Sequence, residues 1–184
     1  MIVRKNEFLE NFTYDTAYEI RKDYFKSKGN KIGVLAFLRY YGCTICQLDI
    51  MEFNKLYEKF EEMGADVKIV LQSTPKIVKE ADEKIKLKFE IICDPKQELY
   101  EKFEIKGAES LEALKSGKII EKVSEAKKLG LSHGEYEGNE LQLPAVFIID
   151  ENNKVLYSHY AEDGADIPRA KEVLDIIYEY ISKK

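Results

Sequence analysis

Two cysteines three positions apart, Cys43 and Cys46, are the residues of this chain best placed to do chemistry. They close the stretch Phe37-Leu38-Arg39-Tyr40-Tyr41-Gly42-Cys43-Thr44-Ile45-Cys46. An apolar run from Ile32 leads into a short turn there, and a long amphipathic pattern then continues to Gly64. The pair therefore falls where a buried strand hands over to a helix. Unpaired backbone N–H groups and the positive end of the helix dipole favour a thiolate at such a point. A Cys-x-x-Cys thiol at a helix start can titrate one to several units below the ordinary value of about 8.5. The spacing puts both sulfurs on one side of the first turn, within reach of a disulfide, so the pair can take up two electrons and be reset. Half of a zinc site and two incidental core cysteines are the competing readings of the same residues.

Other side chains are weighed against that pair. Arg39, at the end of the apolar run, is a candidate to stabilise a thiolate or polarise a bound oxygen substrate, with an exposed surface arginine as the alternative. Thr44 is a candidate hydroxyl donor to a thiolate, or a plain helix-start residue. The two sulfurs are expected to differ: Cys46 heads the core-facing stripe of the helix, so Cys43 is expected to be the more exposed. Cys93 ends a strand and reads as a small buried hydrophobe. His133 and His159 read as surface or loop residues, and Glu135-Tyr136-Glu137 as a solvated loop. Beyond the pair, Cys93, His133 and His159 are the only soft metal ligands, and their spacing follows no zinc-finger pattern. Gln47 excludes a Cys-x-x-Cys-His haem attachment, and three cysteines cannot hold a four-cysteine iron–sulfur cluster. No metal and no cofactor are expected.

The elements that would position these residues can be read from periodicity. Ile32–Leu38 is a continuous apolar run, expected as a strand buried on both faces. Cys46, Ile50, Phe53, Tyr57 and Phe60 recur at helical spacing. Strands are expected over Ala65–Leu71 and Phe89–Cys93, with a helix between them started by Ser73-Thr74-Pro75 and ending near Leu87. This β–α–β order predicts a parallel sheet with right-handed crossovers. A helix is expected from Thr16 to Lys26, closed by Gly29-Asn30, and a short one over Gln97–Phe103. Residues 106–142 break the register, with one or two helices followed by a glycine-marked loop. The stretch is too long for a simple connection and reads as an insertion. Leu143–Asp150 and Val155–Tyr160 form a hairpin. A closing helix follows over Pro168–Ile181, with Ala170, Val173, Leu174, Ile177 and Tyr178 on one face. Met1–Phe12 shows little periodicity.

These elements describe an α/β protein of thioredoxin-like three-layer type, a central mixed sheet flanked by helices, with the insertion before the C-terminal hairpin. The 184 residues suit a single domain spanning 1–184. In such a fold a cis Pro144 before the hairpin would pack against the dithiol and shape the substrate groove, with a trans proline at a strand edge as the alternative. A net charge of −5 argues against nucleic acid or an anionic membrane as partner. No window of about 20 apolar residues exists to span a membrane. Three cysteines fit a reducing cytoplasm better than a secreted disulfide scaffold.

Phe37 to Cys46 resembles the Phe-x-Arg-x-x-Gly-Cys-x-x-Cys signature of the peroxiredoxin-like 2 family, within the alkyl hydroperoxide reductase/thiol-specific antioxidant group. Cys93-Asp94-Pro95 with Leu99-Tyr100, and Gly134–Leu143 followed by Val155-Leu156-Tyr157, are similar to two later segments of that family. The likeness covers roughly residues 30–180 and includes the insertion. Gln47 stands where many members have Arg, and Pro144 where many have Gly. True peroxiredoxins carry a Thr three residues before the peroxidatic cysteine. Aligned with them, Cys46 takes the peroxidatic position and Cys43 the place of that Thr. The resemblance implies a peroxiredoxin-like thiol oxidoreductase. The residues themselves point to Cys43 as the attacker, at the helix N-terminus and expected to be exposed, with Cys46 resolving and Arg39, Thr44 and Pro144 supporting; the alignment with peroxiredoxins would reverse that order. A peroxide or disulfide would be the substrate and a thioredoxin- or glutaredoxin-like system the reductant. A homodimer is left open. The rivals are a redox-inert binding protein of the same fold and a metal-binding module.

Overall fold

The computed structural model describes residues 1–115 and 117–184. Five strands form one sheet: β3 (Ile32–Phe37), β4 (Ala65–Leu71), β5 (Glu90–Cys93), β6 (Ala145–Ile149) and β7 (Val155–Tyr160), in the order β5-β4-β3-β6-β7. β3, β4 and β5 run parallel, while β6 is antiparallel to both β3 and β7. The expected parallel β–α–β run and hairpin are thus present in one mixed sheet. β3 lies in the middle, which is why all six of its residues are apolar or Gly and buried.

Successive β3 side chains feed opposite layers. Ile32, Val34, Ala36 and Leu38 join one core with Ile50, Phe53 and Phe60 of α2 (Thr44–Glu62) and Val173 and Ile177 of α7 (Ala170–Ser182). Leu35 and Phe37 join the other, built around Tyr24, Tyr100, Phe103 and Phe147. Helix α3 (Pro75–Ile85) starts with Pro75 in its first turn, as expected, and the short helix expected over Gln97–Phe103 is α4 (Glu98–Lys102). Tyr57 of the α2 stripe is only partly buried, and Tyr178 of the closing helix is exposed.

The helix expected over Thr16–Lys26 does not form. A two-stranded hairpin, β1 (Thr13–Tyr14) with β2 (Lys22–Asp23), takes its place, and α1 covers only Tyr24–Lys28. The Thr16 hydroxyl accepts hydrogen bonds from the backbone N–H groups of Tyr18 and Glu19. That local turn competes with a helix start. The helix is instead capped later, where Asp23 accepts from the Lys26 N–H.

The insertion holds two short helices, α5 (Leu111–Leu114) and α6 (Gly117–Lys128). α6 is tied to α2 by a buried ion pair, Lys122 Nζ to Asp49 at 2.7 Å. The N-terminal segment lies along both outer strands. Asn6 and Glu7 exchange backbone hydrogen bonds with Val155 at β7, and the Asp15 carbonyl accepts from the Cys93 N–H at β5. Among the described residues no helix is long and apolar enough to cross a membrane.

Candidate active site

β3 ends at Phe37, and the chain then turns through Arg39–Gly42 into α2. The platform it leaves is held by Tyr100, whose hydroxyl lies 2.5 Å from the Leu38 carbonyl and 3.0 Å from that of Val70. Cys43 is the N-cap of α2, and its sulfur accepts from the Cys46 backbone N–H at 3.4 Å. The Cys46 sulfur lies 2.8 Å from that of Cys43, both as free thiols. Arg39 completes the ring, with Nη2 donating to Cys43 Sγ at 3.1 Å. The sequence spacing therefore does bring Arg39, Cys43 and Cys46 together.

Electrostatics separates the two sulfurs. Burial by itself would raise the Cys43 thiol. The hydrogen bond from Cys46 and the Arg39 charge outweigh that and bring it down from 9.0 to about 6. Burial pushes Cys46 the other way, and its hydrogen bond to an anionic Cys43 keeps it a thiol. The arrangement is a thiolate at 43 next to a protonated partner at 46. Cys93 is buried at the end of β5, which pushes its thiol up to about 12.

The expectation that Cys43 would be the exposed sulfur is corrected: Cys43 is 0% and Cys46 4% accessible. Both sulfurs join the core under α2, and the end of the insertion, residues 132–140, crosses the loop that leads to them. Gly134 N donates to the Gly42 carbonyl at 2.8 Å, and a Cβ on Gly42 would run into the backbone of Glu135. Gln47 Nε2 donates to the Ser132 carbonyl at 2.9 Å. His133 Nδ1 faces the Gly134 carbonyl, an acceptor only, so Nδ1 carries the proton and Nε2 accepts from the Tyr40 hydroxyl at 3.1 Å. Farther along, the Glu137 carboxylate accepts from the Ser73 hydroxyl at 2.5 Å and the Thr74 N–H at 2.9 Å. Gln72 and Asn139 clasp each other, Asn139 N donating to Gln72 Oε1 at 2.6 Å and Gln72 Nε2 to the Asn139 carbonyl at 3.3 Å. Arg39 Nη1 donates to the Glu140 carbonyl at 2.8 Å. Glu137 is therefore engaged, not solvated as expected; Glu135 and Tyr136 are exposed.

Two expected supporting residues are not part of this ring. Pro144 is trans, since the described residues contain no cis peptide bond. The chain is already extended as it approaches β6. Leu143 N bonds to the Lys106 carbonyl, the Pro144 carbonyl accepts from Ala161 N, and Ala145 pairs with Phe37. Pro144 lines a hollow with Glu104, Ile105 and Tyr160 that contains neither cysteine of the pair. Thr44 is half-buried, and the sulfur's donors are Arg39 and Cys46. Among the described residues no three His, Cys, Asp or Glu side chains are grouped to hold a metal ion.

A family model described as the AhpC/TSA family matches residues 9–158. No curated protein matches the sequence. Among solved structures, a cysteine-to-serine mutant of peroxiredoxin 6 from Arenicola marina is 18% identical with a TM-score of 0.73, covering 99% of this chain and 76% of that one. A PrxQ mutant from Xylella fastidiosa is 16% identical with a TM-score of 0.68, covering 98% and 99%. Peroxidoxin BcpB from Mycobacterium tuberculosis is 12% identical with a TM-score of 0.71, covering 99% of both chains. At these identities the likeness is one of fold, the thioredoxin-like sandwich.

Proposed function

The chain belongs to the AhpC/TSA family, and from that premise we propose that it is a thiol-dependent oxidoreductase that reduces peroxides by cycling Cys43 and Cys46 between dithiol and disulfide. The observation that carries this reading is the convergence of Arg39, the Cys46 N–H and the Cys46 thiol on one sulfur, that of Cys43. Those donors favour the thiolate, the reactive form.

The steps balance as follows. Cys43 Sγ attacks the terminal peroxide oxygen; an S–O bond forms, the O–O bond breaks, and the alkoxide (or hydroxide) leaves with a proton. Cys46 then attacks the sulfenic sulfur; the S–S bond forms, the S–O bond breaks, and water departs. The peroxide is reduced by two electrons and the dithiol oxidised by two. Two leaving oxygens need two protons. The Cys46 thiol supplies one, and solvent supplies the other, replacing the proton Cys43 gave up when it ionised. Arg39 holds the anionic sulfur before attack and the leaving oxygen after it. A thioredoxin- or glutaredoxin-like dithiol would return the pair to its reduced form. The small, odd number of cysteines, three, suits a reducing compartment such as the cytoplasm.

Cys46 as first attacker is the less favoured order, because burial and its neighbour both keep it protonated. The test is a mass measurement after a stoichiometric amount of hydrogen peroxide. The wild type is expected to lose two hydrogens, with the bond mapped to Cys43–Cys46. Cys46→Ser should stop at a sulfenic acid on Cys43, and Cys43→Ser should not react. Sulfenic acid formed on Cys46 in Cys43→Ser would reverse the order, and no oxidation in the wild type would refute the function.

A further inference from the structure

We propose that residues Ser132–Asn139 form a size filter over the reduced dithiol, admitting small hydroperoxides and excluding disulfides of peptide or protein size, with the Glu137 carboxylate as its latch. The proposal rests on the redox reading above and adds what keeps larger thiol-reactive molecules from the same site.

Three observations carry it. First, both reactive sulfurs are closed off while their surroundings are otherwise arranged for reaction. Second, the sulfurs sit at the margin of the core, and one chain segment crosses the turn just before Cys43. Gly134 is stacked backbone to backbone on Gly42, the residue before Cys43, and a Cβ at Gly42 would collide with the backbone of Glu135, so that approach requires glycine there. The outer side of the segment, from Ser132 to Tyr136, faces solvent, so the cover is a single strand of chain. Third, beside the Gly134–Gly42 bond and the packing of His133 and Tyr136 near the Tyr40 ring, its attachments are hydrogen bonds to polar side chains. Glu137 bonds Ser73 and Thr74 at the start of α3, and Asn139 clasps Gln72. Such a segment, exposed from Ser132 to Tyr136 and tied down largely by hydrogen bonds, belongs to the low-stability end of a fold and opens locally.

Size selection follows from the motion each substrate requires. A molecule close to water in size needs side-chain fluctuation to reach Cys43 Sγ, a picosecond-to-nanosecond event. A disulfide must align its S–S bond with the attacking sulfur, which requires the segment to leave Gly42. A hollow of about 340 Å³ lies beside the loop, lined by Tyr41, Gln47, Ile77, Ser132 and Glu135. It brings solvent up to the cover and to Gly42, and neither cysteine of the pair lines it.

The test reads accessibility and redox turnover separately. Reduced full-length protein is alkylated with iodoacetamide and with a bulky biotin-maleimide, and the label on Cys43 is quantified by peptide mass spectrometry. Glu137→Ala removes the latch. Gly138→Ala, at a position with φ of +62° where a Cβ would strike the Gln72 side chain, disturbs the clasp independently. Each variant is expected to raise the bulky-reagent rate about tenfold or more, the scale of a lost hydrogen bond to a charged group, with the iodoacetamide rate little changed. In parallel, each should gain reactivity towards oxidised glutathione while keeping the wild-type rate with hydrogen peroxide. An unchanged ratio of bulky to small labelling in both variants would overturn the filter. A raised ratio in a wild-type-like background that forms no disulfide with peroxide would leave the filter standing and refute the redox reading instead.

Discussion

Arg39 uses one guanidinium for two contacts: Nη2 on the Cys43 sulfur and Nη1 on the Glu140 carbonyl of the covering segment. Replacing it with Met removes a positive charge beside the thiolate. An opposite charge at this range lowers a pKa by about one to three units. Cys43 in Arg39→Met is therefore expected to titrate higher than the wild-type value of about 6. Thiolate, and with it iodoacetamide reactivity, is present above that midpoint and lost below it. The pH profile of alkylation should move to higher pH in the variant; a profile that does not move would remove Arg39 from the thiolate's environment. Arg39, Cys43 and Cys46 were legible because they lie within eight residues and one strand-to-helix turn brings them together. Tyr40, Gln72, Ser73, Glu137 and Glu140 carried no such signal, because their partners lie far along the chain, 64 residues apart for Ser73 and Glu137. The relative exposure of the two sulfurs was misread for the same reason. Helical spacing says which way a side chain points, not what is laid over it.

At the scale of elements, the insertion is anchored by α6 on α2. Lys122 and Asp49 are almost fully buried and pair at 2.7 Å. Burial raises the Asp49 carboxyl while the Lys122 charge opposes that rise, so each group depends on the other. Lys122→Met alone strands a buried carboxylate and is expected to cost about 3–5 kcal/mol, whereas adding Asp49→Leu should restore most of that loss. A denaturant-unfolding double-mutant cycle checks it, and additive losses would show that the pair is not coupled. α2, α3 and α7 were readable from periodicity, since each lays an amphipathic face on the sheet. The segment Thr16–Lys26 carried start and stop signals for a helix, in Thr13-Tyr14-Asp15 and Gly29-Asn30, but the Thr16 turn and the β1–β2 pairing take its backbone hydrogen bonds instead. The trans bond at Pro144 belongs here too. A local sequence reports that a proline precedes a strand, while Lys106 and Ala161 decide how the chain arrives.

The whole molecule depends on a segment that looked least informative. Met1–Phe12 has no periodicity, yet Val3, Leu9 and Phe12 are buried with Tyr24, Phe103 and Phe147 in the aromatic core. Each such side chain contributes about 1.5–3 kcal/mol when buried, so their joint loss is on the scale of a domain's entire stability, about 5–15 kcal/mol. Deleting residues 1–12 is expected to abolish a cooperative thermal transition seen in the full chain; a truncated protein that melts as sharply would show the segment to be dispensable. Extended pairing between distant parts of a chain leaves no periodic trace, which is why this contribution was hidden while the parallel core was plain. The same segment reaches Val155 of β7 through Asn6 and Glu7, and a little farther on Asp15 reaches Cys93 of β5. One residue of each outer strand is thus already bonded by the protein's own backbone, and a molecule extending the sheet at either of those points would first have to displace it.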